Sequence, residues 1–224
     1  MKRWALVVVA LYVLILAVLT LPVTLLAFAP QARAQEVAGA YLHFAFWLWL
    51  GVMGLAQAGL LAVPVRIASR RPVSRRSLLL PIVTAGLMMG ALAVGALYSL
   101  GEFAARDKVP NWFWPASIGS GVVIWCAWAA LFYRSSRDAD PADVFSRQCR
   151  LLLRGSILEL LVAVPTHIVA RSRDYCCAGF MTFIGLALGI SVMLFSFGPS
   201  VFFLYAARWR RLHPEPETES AAPI

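Results

Sequence analysis

Charge is what this sequence has least of. Only 14% of its 224 residues are Asp, Glu, Lys or Arg, where an ordinary water-soluble domain carries about 25%. Hydrophobic residues make up 61%, and the mean hydropathy is +0.76. A globule of this size would have too little polar surface to stay dissolved, so the solvent it lacks is lipid. That excludes a soluble enzyme and a disordered chain. Histidine is scarce as well. Three residues cannot supply the four axial ligands of a two-haem cytochrome. The cysteines Cys126, Cys149, Cys176 and Cys177 are too few for a disulfide framework in a chain this long. GxSxG, HExxH, Walker A and CxxC patterns are all missing. No segment between apolar runs exceeds about 20 residues, so there is no room for a soluble catalytic domain. The missing templates lean against an enzyme without closing that class.

What the sequence does contain is apolar runs. Six of them lie at about 4–29, 42–65, 78–100, 114–133, 152–170 and 178–206, and a membrane-crossing helix needs roughly 20 mainly apolar residues. The expected fold is an all-α integral membrane protein, a six-transmembrane helix bundle forming one domain over 1–206. Residues 207–224, basic and then rich in Pro and Glu, are expected to form a disordered cytoplasmic tail. The first run follows Met1-Lys2-Arg3 and precedes Ala32-Arg33-Ala34, in the manner of a cleaved leader. It is much longer than the roughly 7–15 residues of a signal-peptide core, so it is expected to remain as an anchor.

The basic residues set the orientation. With the N-terminus inside, fifteen of the twenty Lys and Arg residues fall on the cytoplasmic side. They cluster at Lys2 and Arg3, at 66–76, at 134–154 and at 208–211. Arg33, Arg106, Lys108, Arg171 and Arg173 fall outside. A bias of that size over short loops places both termini in the cytoplasm. The net charge of +9 and the pI near 10.0 therefore report topology, and no nucleic-acid partner is expected. Trp47, Trp49, Trp112 and Trp114 fall near the outer boundary, Trp4 and Trp209 near the inner one, where indole rings are most at ease. Short loops and this bias suit a bacterial inner (cytoplasmic) membrane.

Small residues let helices approach closely in lipid. Gly86 and Gly90 form a GxxxG pair in the third run, Gly185 and Gly189 another in the sixth, and Ser117 and Gly121 a related pair in the fourth. They are expected to pack helices within the chain, with a homo-oligomer or partner seam as the sharper alternative. Pro22, Pro165 and Pro199 interrupt apolar runs, each removing a backbone donor.

Two sets of residues could carry chemistry. Glu159 lies 12 residues inside Arg171, about 18 Å below the outer end of the fifth run at 1.5 Å per residue. An ionisable group at that depth is costly and points to function. Arg154 lies about 140° around the helix and does not face it. Ser156 is on the same face. Gln57, Cys126 and Ser191 fall at similar depth, roughly 18–23 Å, and complete an expected intramembrane polar layer. The second set lies toward the outer face: His43, His167, Cys176 and Cys177, with Asp174 as an additional ligand. Two imidazoles and two thiolates can hold a transition metal such as Zn²⁺, and two imidazoles can ligate one haem. The plainer alternative is two interfacial histidines and a vicinal thiol or disulfide pair. The adjacent cysteines are similar to the pair carried by small mercury-transport membrane proteins. That likeness covers Cys176 and Cys177 only, and in that family the pair lies in the first helix of a shorter chain. Asp138, Asp140 and Asp143 form an acidic ADPAD cluster ahead of an amphipathic stretch around Phe145–Leu153, with Asp143 expected to cap it.

Three functions stay open on the sequence, besides an intramembrane enzyme with His167 as general base and Cys176 or Cys177 as nucleophile. The first is an accessory or structural subunit of a larger membrane complex, which would imply a membrane-protein partner besides the bilayer. The second is an outer-face metal, haem or thiol-redox site. The third is a small-solute or proton-coupled transporter using Glu159.

Overall fold

The computed structural model describes residues 2–28, 39, 41–42, 44–68, 75–105, 109–136, 141–173 and 178–212. Among them the chain is entirely helical, with six long helices: α1 (Lys2–Phe28), α2 (Phe44–Ala68), α3 (Arg75–Ala104), α4 (Phe113–Ser135), α5 (Pro141–Arg171) and α6 (Phe180–Leu212). Five contain segments long and apolar enough to cross a membrane: Phe44–Leu61, Leu78–Ala104, Phe113–Ser135, Asp143–Arg171 and Phe180–Pro199. The apolar segment described in α1 is the shorter Arg3–Leu19.

The bundle has an apolar core, built on residues such as Leu60, Ile82, Met88, Leu152 and Phe195, with polar side chains enclosed in it, and it also turns large apolar side chains outward. Gln57, Ser99, Ser156, Thr182 and Ser191 are completely buried. Leu55, Val123, Leu158, Leu161 and Ile168 are each at least 65% exposed. Water would penalise that outer surface, whereas lipid accepts it, and backbone satisfied within helices is what a bilayer demands.

Helices α3 and α6 form the centre. Each packs along the other and along α5, while α1 and α2 close one side against α6 and α3. Helix α4 lies outside, packed along α3 and barely touching α5. The α3–α4 seam explains the first small-residue pair. A β-carbon on Gly90 would stand 2.7 Å from the Gly121 carbonyl oxygen, and one on Gly86 3.1 Å from the backbone of Trp125 and of Ala129. Trp125 then donates its indole N–H across the seam to the Val83 carbonyl at 3.0 Å. Ser117, Gly121 and Phe132 are the buried stripe of α4.

Helix α5 begins well before the apolar run that announces it. The amphipathic stretch at 145–153 is its N-terminal part, with Asp143 in the first turn. Val144, Phe145, Gln148, Leu152, Ser156, Glu159, Ala163, His167 and Ala170 are all buried. That spacing of three or four traces one face down the whole helix, so the helix keeps its inward side after the sequence around it turns polar.

Candidate functional site

Glu159 sits in the middle of that inward face, 4% exposed. Its carboxyl is received by glycine on two neighbouring helices. A β-carbon on Gly95 of α3 would stand 3.0 Å from Oε1, and one on Gly185 of α6 3.3 Å from the same atom. One on Gly189 would overlap Oε2. The GxxxG pair of α6 is thus a seat for a carboxyl arriving from α5. Neither carboxyl oxygen has a hydrogen-bond partner among the described residues. The Ser99 hydroxyl on α3 is buried and unpartnered too, and it borders the same missing β-carbon of Gly185 as Oε1 does. An acid, a hydroxyl and the Gly95 carbonyl oxygen, 2.8 Å from that β-carbon position, therefore gather where α3 and α6 pass closest.

Toward the N-terminal end of α6 lies a second polar group. The Glu102 carboxylate, in the last turn of α3, accepts the Gly179 N–H at 2.6 Å and the Thr182 N–H at 2.8 Å. These are orphan donors at the start of α6, so the cap of one helix comes from another. Arg173 returns the favour by donating from Nη1 to the Glu102 carbonyl at 2.8 Å and from Nη2 to the Phe103 carbonyl at 2.7 Å. It thereby closes the C-terminal end of α3. Gly179 has φ +89°, which glycine adopts without strain. A side chain there would also strike Arg171 and stand 3.2 Å from His167 Cε1. His167 is buried on α5, its Nδ1 2.8 Å from the Thr182 hydroxyl. Its Nε2 has no partner among the described residues.

The other expected members of the midplane layer are elsewhere. The amide of Gln57 lies against Gly198, where a β-carbon would overlap it, and neither amide atom has a partner among the described residues. Ser191 donates to Ala187 on its own helix, and its carbonyl accepts the Tyr12 hydroxyl at 3.0 Å. Cys126 is exposed on α4. Ser156 donates to the Leu153 carbonyl at 2.9 Å. No hydrogen bond joins any of these to Glu159. Of the outer-face set, only His167 is described. His43, Asp174, Cys176 and Cys177 lie outside the described residues, as do Asp138, Asp140 and the tail from His213. Among the described residues no group of three or more His, Cys, Asp or Glu side chains is placed to hold a metal ion.

Ser99, Glu102, Gln148 and the α6 start were not singled out in the sequence. A signal was present, since Gly95, Ser99 and Glu102 are spaced by four and three on one face of α3. Small polar residues inside an apolar run do not interrupt it, however, and an acid at its end looks like a boundary charge. No family model, curated protein or solved structure matches this chain.

Proposed function

We propose that the chain is a six-span protein of a bacterial inner membrane, both termini cytoplasmic, that moves protons through the bundle by way of Glu159, with or without a small solute. The observation that carries this reading is the Glu159 carboxyl itself: buried, seated on glycine, and without a hydrogen-bond partner among the described residues. A carboxyl retained only to hold helices together would be bonded to them, because a buried polar group left unpaired costs about 1–3 kcal/mol. A carboxyl that must take up and release a proton has to keep its oxygens available. Reading the chain solely as an accessory subunit leaves this group without a role.

The test is proton flux into liposomes holding the purified protein and an internal pH dye. Glu159→Gln preserves shape and hydrogen-bonding capacity but cannot exchange a proton. Wild-type flux that falls to the empty-vesicle level in Glu159→Gln, with an unchanged melting transition, supports the reading. Equal flux in the two proteins, or none in the wild type, overturns it. A co-purifying membrane protein in fixed ratio, in a preparation without flux, would instead favour the accessory subunit.

A further inference from the structure

Thr182, Gly185 and Gly189 lie three and four residues apart on α6 and so share one face. Each meets a buried polar group from another helix. Thr182 meets His167, Gly185 meets Ser99 and Glu159 Oε1, and Gly189 meets Glu159 Oε2. His167 and Glu159 stand eight residues apart on the buried face of α5, about 12 Å or two turns along the axis, and the Ser99 hydroxyl, which meets the same α6 glycine as Glu159 Oε1, lies at the carboxyl end of that interval. His167, Ser99 and Glu159 are all less than a tenth exposed, and His167 Nε2, Ser99 Oγ and both Glu159 oxygens have no partner among the described residues.

At the outer station the Thr182 hydroxyl lies 3.0 Å from the Gly179 carbonyl oxygen and 2.8 Å from His167 Nδ1, and its one hydrogen serves only one of them at a time. When that hydrogen goes to the Gly179 carbonyl, Nδ1 is the protonated nitrogen of the neutral ring and Nε2 carries the lone pair. The charged groups around it are Glu102 from α3, tied to the Gly179 and Thr182 amides, and Arg171 on α5, whose side chain packs beside Gly179. Helix α6 brings no charge in its first turn.

Resting on the Glu159 reading, we propose that His167 is the outer proton-accepting station of the same path. Its Nε2 lone pair takes a proton from the outer side, the ring becomes imidazolium, and the same nitrogen then releases the proton inward, toward the Glu159 carboxylate. The neutral Nδ1–H ring is restored each time. No oxidant or cofactor enters, and one proton is gained and lost per passage.

The experiment uses the same proteoliposomes with the outer pH lowered. His167→Asn keeps a side-chain donor for Thr182 but has no base at the Nε2 position, and His167→Ala leaves space for a small molecule. Flux is expected to fall about tenfold or more in both, the range lost when a proton-transfer group is removed. Imidazole added outside should restore flux in His167→Ala and not in Glu159→Gln. Undiminished flux in both His167 variants, or a loss in folded His167→Ala that imidazole leaves untouched, overturns the proposal. If Glu159→Gln still loses flux, the Glu159 reading survives that failure. The tautomer is read separately by ¹⁵N spectra of histidine-labelled protein, assigned by loss of one signal in His167→Asn. A proton on Nδ1 and none on Nε2 is expected. A proton on Nε2 overturns the proposal whatever the flux.

Discussion

At the residue scale, the behaviour of Glu159 depends on what its neighbours omit. Three glycines make room for one carboxyl, so adding a methyl group there should be felt through the acid. Gly189→Ala is expected to destabilise by about 1–3 kcal/mol, the cost of forcing extra volume into a packed interior. The penalty should shrink in the Glu159→Ala background, because the nearest overlapping atom has been removed, and what remains is the contact with Leu160 Cδ2 at 2.8 Å and Cγ at 2.9 Å. Thermal melts of the two single variants and the double variant in detergent give the coupling directly, and independent, additive penalties would contradict the seat. Glu159 could be found from sequence because an ionisable group stands out in an apolar run. Its surroundings could not. Gly95 and Ser99 look like ordinary small packing residues, and depth counting put Gln57 level with Glu159 although its amide meets α6 nine residues, about 13.5 Å, beyond the carboxyl's seat. Gln57 turns to Gly198 and Cys126 to the outside, because rotation about the helix axis is set by packing against neighbours and not by depth.

At the element scale, the helices were legible as apolar runs, and their ends were not. Hydropathy marks where a segment prefers lipid. A helix continues as long as one face still has something to bury, and Phe145 and Gln148 carry α5 past the end of its run. The caps were invisible for a related reason: the start of α6 is satisfied by a side chain 77 residues earlier, which no local pattern can reveal. Glu102→Ala should strand two buried amide donors and cost about 1–2 kcal/mol, as loss of an N-cap does. Arg173→Ala should loosen the same junction from the α3 side. Hydrogen exchange at the amides of Gly179 and Thr182 is the measurement. Faster exchange there, with the α3–α4 seam unchanged, is the expected pattern, and unchanged protection at both amides would remove the capping role.

At the scale of the whole molecule, the exterior is apolar and the arginines collect toward one side of the sequence-derived topology, so the position of the ends is the informative test. A reporter fused at the C-terminus should be active only if it functions in the cytoplasm, and the opposite outcome would invert the orientation. The cross-helix capping also bears on how the chain is made. Glu102 lies in the last turn of α3, where no basic residue of that turn offsets it and where the negative end of its own helix dipole opposes a carboxylate. Two of the donors to that carboxylate, the amides at the start of α6, and the guanidinium of Arg173 that bonds the last α3 carbonyls, are synthesised some seventy residues later. A nascent fragment that stops short of α6 therefore lacks two donors that the Glu102 carboxylate uses in the finished chain. Completion of the last helix supplies them, so this junction between the third helix and the last closes only in a full-length copy.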